Sequence, residues 1–233
     1  MTKNEYSGRD NLEVMLEARN YNAYLVQLVL SCARPGDVVV DFGAGAGTFS
    51  KPLTNAGYKV ICIETDPVLA GDLRMQGMTV FDSLELVDDA SVDYIYSLNV
   101  LEHIEDDRAI LSLWHRKLRH KGRITVYVPA FPSLYTSMDR KVGHVRRYTR
   151  RELVDKVIGA GFSVTQARYA DSLGYFATLV YKHLGKDDGS VDPGMLRLYD
   201  RLAFPLSRAM DCVSHRIIGK NVFVTGARKD DVS

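Results

Sequence analysis

Apolar residues recur at three- and four-residue spacing over residues 10–33. Leu12, Met15 and Leu16, then Tyr24, Leu25, Leu28 and Val29, form the stripe of an amphipathic helix. Pro35-Gly36-Asp37 breaks that pattern. Val38-Val39-Val40 follows, a short β-branched run of the kind that forms a strand covered on both faces. After a glycine-rich turn, a helix reaches Ala56 and stops at Gly57. The alternation then repeats. The pattern predicts strands at 59–63, 78–81, 92–98, 123–128, 162–169 and 222–227, and helices at 67–75, 106–119 and 150–160. The helix over 106–119 is expected to end at Lys121-Gly122.

Strands that alternate with helices imply a mostly parallel sheet covered on both faces. The expected fold class is α/β, a Rossmann-like doubly wound sheet of about seven strands. Two stretches break the rhythm: 130–149, too long for an ordinary connection, and 171–220, which holds two helix-like runs. Both are expected to cover the substrate end of one domain spanning 1–233, with residues 1–34 as a helical lid. Within the second stretch, Met195, Leu198, Tyr199, Leu202, Leu206, Ala209, Met210 and Val213 form a helical stripe, with a kink expected at Pro205. Arg197, Arg201 and Arg208 lie off it. Such a stripe packs on its own domain, on a second copy in a homodimer, or on an anionic membrane surface.

Composition narrows the setting. The formal net charge of +1 in 233 residues argues against a built polyanion binder, so no nucleic-acid partner is expected. Cys32, Cys62 and Cys212 are far apart and in no CxxC arrangement, so neither disulfides nor a zinc site is expected, and no other metal site is read from the chain. The polar first ten residues lack the apolar run of a signal peptide, which points to a cytoplasmic setting.

The chemistry begins at Val40-Asp41-Phe42-Gly43-Ala44-Gly45-Ala46-Gly47, which joins a strand to a helix. Glycines let the chain turn sharply and let a ligand lie against bare backbone. No Gly-Lys-Ser/Thr follows, so this is not a P-loop. Thr48 stands where a dinucleotide fingerprint asks for glycine or alanine. Asp41 would repel a pyrophosphate and attract an ammonium group. Glu64, closing the next strand, is placed to accept from ribose hydroxyls, with Thr65 beside it and Asp66 as a competitor. Asp82, with Ser83, could accept from an adenine amino group. Asp41 and Glu64 could instead cap a helix or end a strand in solvent.

Asp41 to Gly47 resembles the first motif of the class I S-adenosylmethionine-dependent methyltransferases, and Glu64 matches their ribose acid. Ser97-Leu98-Asn99-Val100-Leu101-Glu102-His103-Ile104 resembles the segment after the fourth strand in their small-molecule branch. Leu118 to Arg123 resembles the turn before the fifth strand, with Lys121 where many members carry proline or glycine. The resemblance implies S-adenosylmethionine as cofactor, held by Asp41, Gly43, Ala44, Gly45, Gly47, Glu64, Thr65, Asp82, Ser83 and Asn99. It also implies in-line methyl transfer to a small-molecule acceptor.

On the acceptor side, His103 and His144 are candidates for the base, since imidazole titrates near neutral pH. His103 could instead orient a loop or pack beside the cofactor, and Glu102 reads as structural or as a helix-start acid. Tyr21, Tyr135, Arg146, Arg147 and Tyr148 are candidate substrate contacts, the arginines as forked clamps for phosphate or carboxylate. The alternatives are a solvated helix start or an internal salt bridge from Arg146 or Arg147 to Asp139. Tyr135 to Tyr148, with Asn20-Tyr21-Asn22, resembles bacterial methyltransferases associated with glycosyltransferases, which implies a sugar or glycolipid acceptor. A non-catalytic cofactor-binding module and a nucleic-acid or protein methyltransferase are the competing readings.

Overall fold

The computed structural model describes residues 14–185 and 187–229. The sheet starts with β1 (Val38–Phe42), β2 (Lys59–Ile63) and β3 (Thr79–Phe81), then β4 (Val92–Leu98) and β5 (Leu118–Pro129), and ends with β6 (Phe162–Ala170) and β7 (Asn221–Arg228). Their spatial order is β3-β2-β1-β4-β5-β7-β6, parallel except for β7, which runs antiparallel to both β5 and β6. The order reverses between β1 and β4, which opens a crevice at their carboxyl ends.

The central strands are buried on both faces, so neighbouring residues feed opposite cores. Val40, Phe42, Ile63, Ile95 and Val126 join Trp114 of helix α4 (Asp107–Lys117) and Leu153 of α6 (Arg150–Gly159). Val39, Cys62, Tyr94, Tyr96 and Tyr127 join Leu25 and Val29 of α1 (Arg19–Cys32), Leu53 of α2 (Ser50–Asn55) and Leu73 of α3 (Pro67–Met75). Helix α3 begins as its sequence dictates: Asp66 accepts from the N–H groups of Val68 and Leu69, and Pro67 takes the first helical position.

Several boundaries differ from the periodicity. The first stripe is interrupted at residues 17–18, and α1 begins at Arg19, while Leu12 lies outside the described residues. Helix α4 stops at Lys117, and β5 begins at Leu118. Leu118 is fully buried opposite Val92, but the exposed residues 119–121 separate it from the apolar run that begins at Ile124 and hide the strand start. Helix α5 (Ser137–Val142), with a Thr136–Asp139 capping box, lies inside the 130–149 stretch.

The 171–220 stretch holds α7 (Ser172–Leu184), α8 (Pro193–Leu198), a π-helical turn (Tyr199–Ala203) and α9 (Phe204–Ser214). The expected apolar stripe faces outward: Leu202 is 63% and Val213 82% exposed. The buried side carries Phe204, Asp200, Ser207 and Asp211. Asp200 accepts from the backbone N–H groups of Asn20 (2.9 Å) and Tyr21 (2.9 Å) at the start of α1. Asp211 does the same for Asp171 (2.8 Å) and Ser172 (3.0 Å) at the start of α7. The α1 N-terminus, whose own N-cap residue Ala18 offers no side-chain bond, is thus closed by a distant carboxylate, and that of α7, already capped by Asp171, is reinforced by another. The stretch therefore braces α1 and β6 more than it roofs the crevice, into which it sends Val191 and Lys220. No helix among the described residues is long and apolar enough to cross a membrane.

Because Asp200 alone supplies the side-chain cap of α1, Asp200→Ala is expected to cost about 1–2 kcal/mol. The midpoint of thermal unfolding should fall by roughly 3–8 °C for a domain of this size. A midpoint unchanged from wild type would show that the cap is not needed.

Candidate active site

A cavity of about 540 Å³ fills the crevice above β1 and β4. One end is made of the turn Gly43-Ala44-Gly45-Ala46 with Glu64, Thr65, Asp66 and Leu69. Gly43 has φ +85°, and a Cβ there would collide with the Val100 side chain, so only glycine fits. The Glu64 carboxylate accepts from Gly45 N–H (2.7 Å) with one oxygen and from Asp66 N–H (2.8 Å) with the other. It therefore fixes the turn while still facing the cavity. Phe42, Phe49, Ile63, Leu69, Leu98 and Val100 supply apolar walls.

The other end is polar and comes from the 97–104 segment and the 130–149 stretch. Residues 101–103 form a short 3₁₀ turn after β4, which puts Glu102 inside and His103 at the cavity wall. His144 Nδ1 lies 2.7 Å from Asp139 Oδ1, and its Nε2 lies 3.6 Å from Glu102 Oε1. The two imidazole rings meet edge to face with centroids 4.6 Å apart. Burial, with a further contribution from His144, lowers the His103 pKa to about 4. Burial, reinforced by the Asp139 charge, raises that of Glu102 to about 8. Burial works against the Asp139 carboxylate, but hydrogen bonds from His144 and Arg147 outweigh it and hold the pKa far below normal.

A family model described as a methyltransferase domain matches residues 8–167. The chain belongs to this methyltransferase family. Among curated proteins it resembles an uncharacterised 37.1 kDa protein encoded in a transposon of Streptomyces fradiae, 29% identical over 184 residues. It also resembles a probable S-adenosylmethionine-dependent methyltransferase of Mycolicibacterium smegmatis, 27% identical over 165 residues. These alignments take in 73% and 68% of the chain, and the chain spans only 52% and 62% of those relatives. Among solved structures, a possible histamine N-methyltransferase from Thermotoga maritima superposes with a TM-score of 0.64 at 19% identity, covering 95% of each chain.

The cofactor of this family is S-adenosylmethionine. The cavity fits it: the turn offers bare backbone, Glu64 has carboxylate lone pairs left for a diol, and the apolar walls suit an adenine ring and a thioether chain. Gly43, Ala44, Gly45, Glu64, Thr65 and Asn99 all border the methyltransferase cavity.

Other expected contacts lie elsewhere. Asp41, expected at the methionine ammonium, is buried beneath the turn and accepts from the Ser50 hydroxyl. It shares the inner face of β1 with Val39, because side chains alternate along a strand. Gly47 does not border the cavity; a Cβ there would lie 2.7 Å from Leu73, so its role is to let the turn pack on α3. Asp82 is 75% exposed and paired with Arg74 at 2.8 Å, and Ser83 accepts from Glu85 N–H; neither borders the cavity.

On the acceptor side, Tyr21, Asn22, His103, His144 and Arg147 border the cavity, while Tyr135, Arg146 and Tyr148 do not. The arginine clamp is overturned because both forks are occupied internally. Arg147 grips Asp139 through Nε and Nη2, each at 2.8 Å, and Arg146 holds Asp107 at 2.8 Å. The Tyr148 hydroxyl also donates to Asp107 (2.8 Å), and that of Tyr135 to the His144 carbonyl (2.6 Å). Sequence reasoning missed Lys220 and Asn221, which reach the cavity from the start of β7. No local pattern marks Lys220 or Asn221; only the antiparallel placement of β7 beside β5 brings them there.

Two outcomes test this geometry. Glu64→Gln should weaken S-adenosylmethionine binding by roughly 10-fold or more in calorimetric titration, since a charge-assisted bond is worth about 1.5–3 kcal/mol. Asp41 has its pKa raised to about 6, chiefly by burial. Its folded state holds a proton that the unfolded chain gives up, so this group's contribution to stability falls as pH rises from about 4 to 6 and is lowest above that. Asp41→Asn is therefore expected to stabilise the apo protein at pH 7.5, by at most about 3 kcal/mol, and much less at pH 4. Equal shifts at both pH values in denaturant titrations would remove this assignment.

Proposed function

We propose that this chain is an S-adenosylmethionine-dependent methyltransferase that methylates a hydroxyl oxygen of a small molecule, a sugar or glycolipid intermediate. The observation that carries the reading is a single cavity with a glycine-and-carboxylate end and an end bordered by the His103 and His144 imidazoles. The cofactor supplies an electrophilic methyl group whose sulfonium leaves as a neutral thioether. The chain's own residues do the rest. The Gly43–Gly45 backbone and Glu64 hold one reactant, and Tyr21, Asn22 and His103 border the space for the other. Fixing two reactants in line removes much of the entropic barrier to their encounter. A hydroxyl, unlike a thioether or a neutral amine, must also lose a proton to become a good nucleophile, and the His103 and His144 imidazoles border the space where that proton would leave. Lys220, with its pKa lowered by burial, and Arg147 border the same space and favour an acceptor rich in oxygen.

Thermal unfolding with S-adenosylmethionine, with its demethylated product and with NAD tests the reading. A ligand at about 100 times its dissociation constant adds roughly 2.7 kcal/mol, a rise of about 5–10 °C here. The rise is expected with both sulfur ligands and not with NAD. Methyl transfer to sugar-containing acceptors should then appear in a labelled-methyl assay. No rise at millimolar sulfur ligand would overturn the proposal, and binding without turnover on any acceptor would favour a cofactor-binding module.

A further inference from the structure

We propose that Glu102, His103 and His144 bind a divalent first-row transition-metal ion, whose remaining coordination positions take the acceptor's hydroxyl oxygen. This rests on the reading of the cavity as a site of methyl transfer to oxygen and deepens it.

The three side chains come from two segments about forty residues apart, yet one donor atom of each lies within 4.8 Å of the others. Glu102 is fully buried, and neither of its carboxylate oxygens has a hydrogen-bond partner. Buried acids are normally paired, hydrogen-bonded or bound to metal. His144 Nε2, at 3.6 Å, is too far for a hydrogen bond. That distance is close to the roughly 3.4 Å separating two ligands that each lie about 2.1 Å from one tetrahedral ion.

His144 is oriented as metal-binding histidines are. Its Nδ1 is tied to Asp139 at 2.7 Å, which turns Nε2 toward Glu102. Asp139 is itself fixed by Arg147 and by Thr136 N–H (2.8 Å). His103 Nδ1 lies 3.3 Å from the Gly143 carbonyl, and its ring meets His144 edge to face. Two imidazoles and one carboxylate suit borderline ions such as Fe²⁺, Co²⁺ or Zn²⁺ better than Mg²⁺ or Ca²⁺, with the harder Mn²⁺ bound more weakly and useful as a spectroscopic probe. His103 and His144 border the cavity with Glu102 buried behind them, so an ion held by the three keeps positions open on the cavity side, as a catalytic ion requires.

The chemistry balances without any change in the metal's oxidation state. The acceptor hydroxyl, bound to the ion, releases its proton to water, because a coordinated oxygen is far more acidic than a free one. The resulting alkoxide attacks the methyl carbon. An O–C bond forms as the C–S bond breaks, and the electron pair of that bond stays on sulfur.

The full chain, stripped with a chelator and titrated with Mn²⁺, reports binding through loss of the free-ion electron paramagnetic resonance signal. One ion per chain is expected, with competition by Zn²⁺. Glu102→Gln keeps the shape of the protonated acid and should weaken Mn²⁺ binding by more than about 100-fold, while Asp139→Asn, one step removed, should weaken it by roughly 10–100-fold. Both variants are checked for folding by their thermal response to S-adenosylmethionine, which should persist in Glu102→Gln. If the wild type responds to S-adenosylmethionine but takes up no Mn²⁺, Co²⁺ or Zn²⁺ at millimolar levels, the metal proposal fails and the methyltransferase reading stands. Unchanged Mn²⁺ affinity in Glu102→Gln would equally overturn it. Loss of the S-adenosylmethionine response in the wild type is failure of the other proposal, and the metal titration reads independently of it.

Discussion

The buried fork between Arg147 and Asp139 organises the acceptor end of this molecule. Two parallel bonds of 2.8 Å neutralise both charges, and the same carboxylate receives Thr136 N–H and sits against His144. A third guanidinium nitrogen reaches the Ala130 carbonyl at 3.3 Å. One ion pair thus ties the beginning, middle and end of the 130–149 stretch together. Removing either partner would leave an uncompensated buried charge, which costs more than the pair itself contributes. The fork also fixes the carboxylate against which His144 Nδ1 sits, and so helps set the direction of the His144 ring.

A second carboxylate extends the same logic outward. Asp107, at the start of α4, receives Arg146, the Tyr148 hydroxyl and Lys156 of α6. The 130–149 stretch is thereby fastened to two helices on one face of the sheet. The adjacent residues Arg146 and Arg147 serve different anchors, and the alternation of the chain through that segment sends one toward α4 and the other toward α5. The result is a loop held rigidly enough to act as a cavity wall.

The cofactor half of the cavity was legible in the sequence because it is local. A β-branched run, a glycine turn and an acid at the end of the next strand are read in order, and Gly43, Gly45, Glu64 and Asn99 do border the cavity. The strands were legible for the same reason: the runs at 38–42, 59–63 and 92–98 are buried on both faces and need no partner to be recognised. Asp41 was harder, since the choice between facing a ligand and facing Ser50 depends on which face of β1 it occupies. The destination of Arg147, Asp139, was one of the alternatives its spacing offered, whereas that of Arg146, Asp107, lies about forty residues away and has no local mark. The stripe at 195–213 misled more deeply. Its apolar side faces outward because the opposite side carries Asp200 and Asp211, whose value as caps depends on helix ends up to 180 residues away.

The two ends of the cavity are therefore built on different principles. The cofactor end uses backbone and one carboxylate, and most side chains around it could change without altering the turn. The acceptor end uses long side chains from segments far apart, each fixed by a buried charge. Glu102 is the clearest case. Its carboxyl is fully buried, its oxygens have no hydrogen-bond partner among the described residues, and His144 Nε2 stands 3.6 Å away. A cation entering between this carboxyl and the two imidazoles would give it the partner that buried acids normally have.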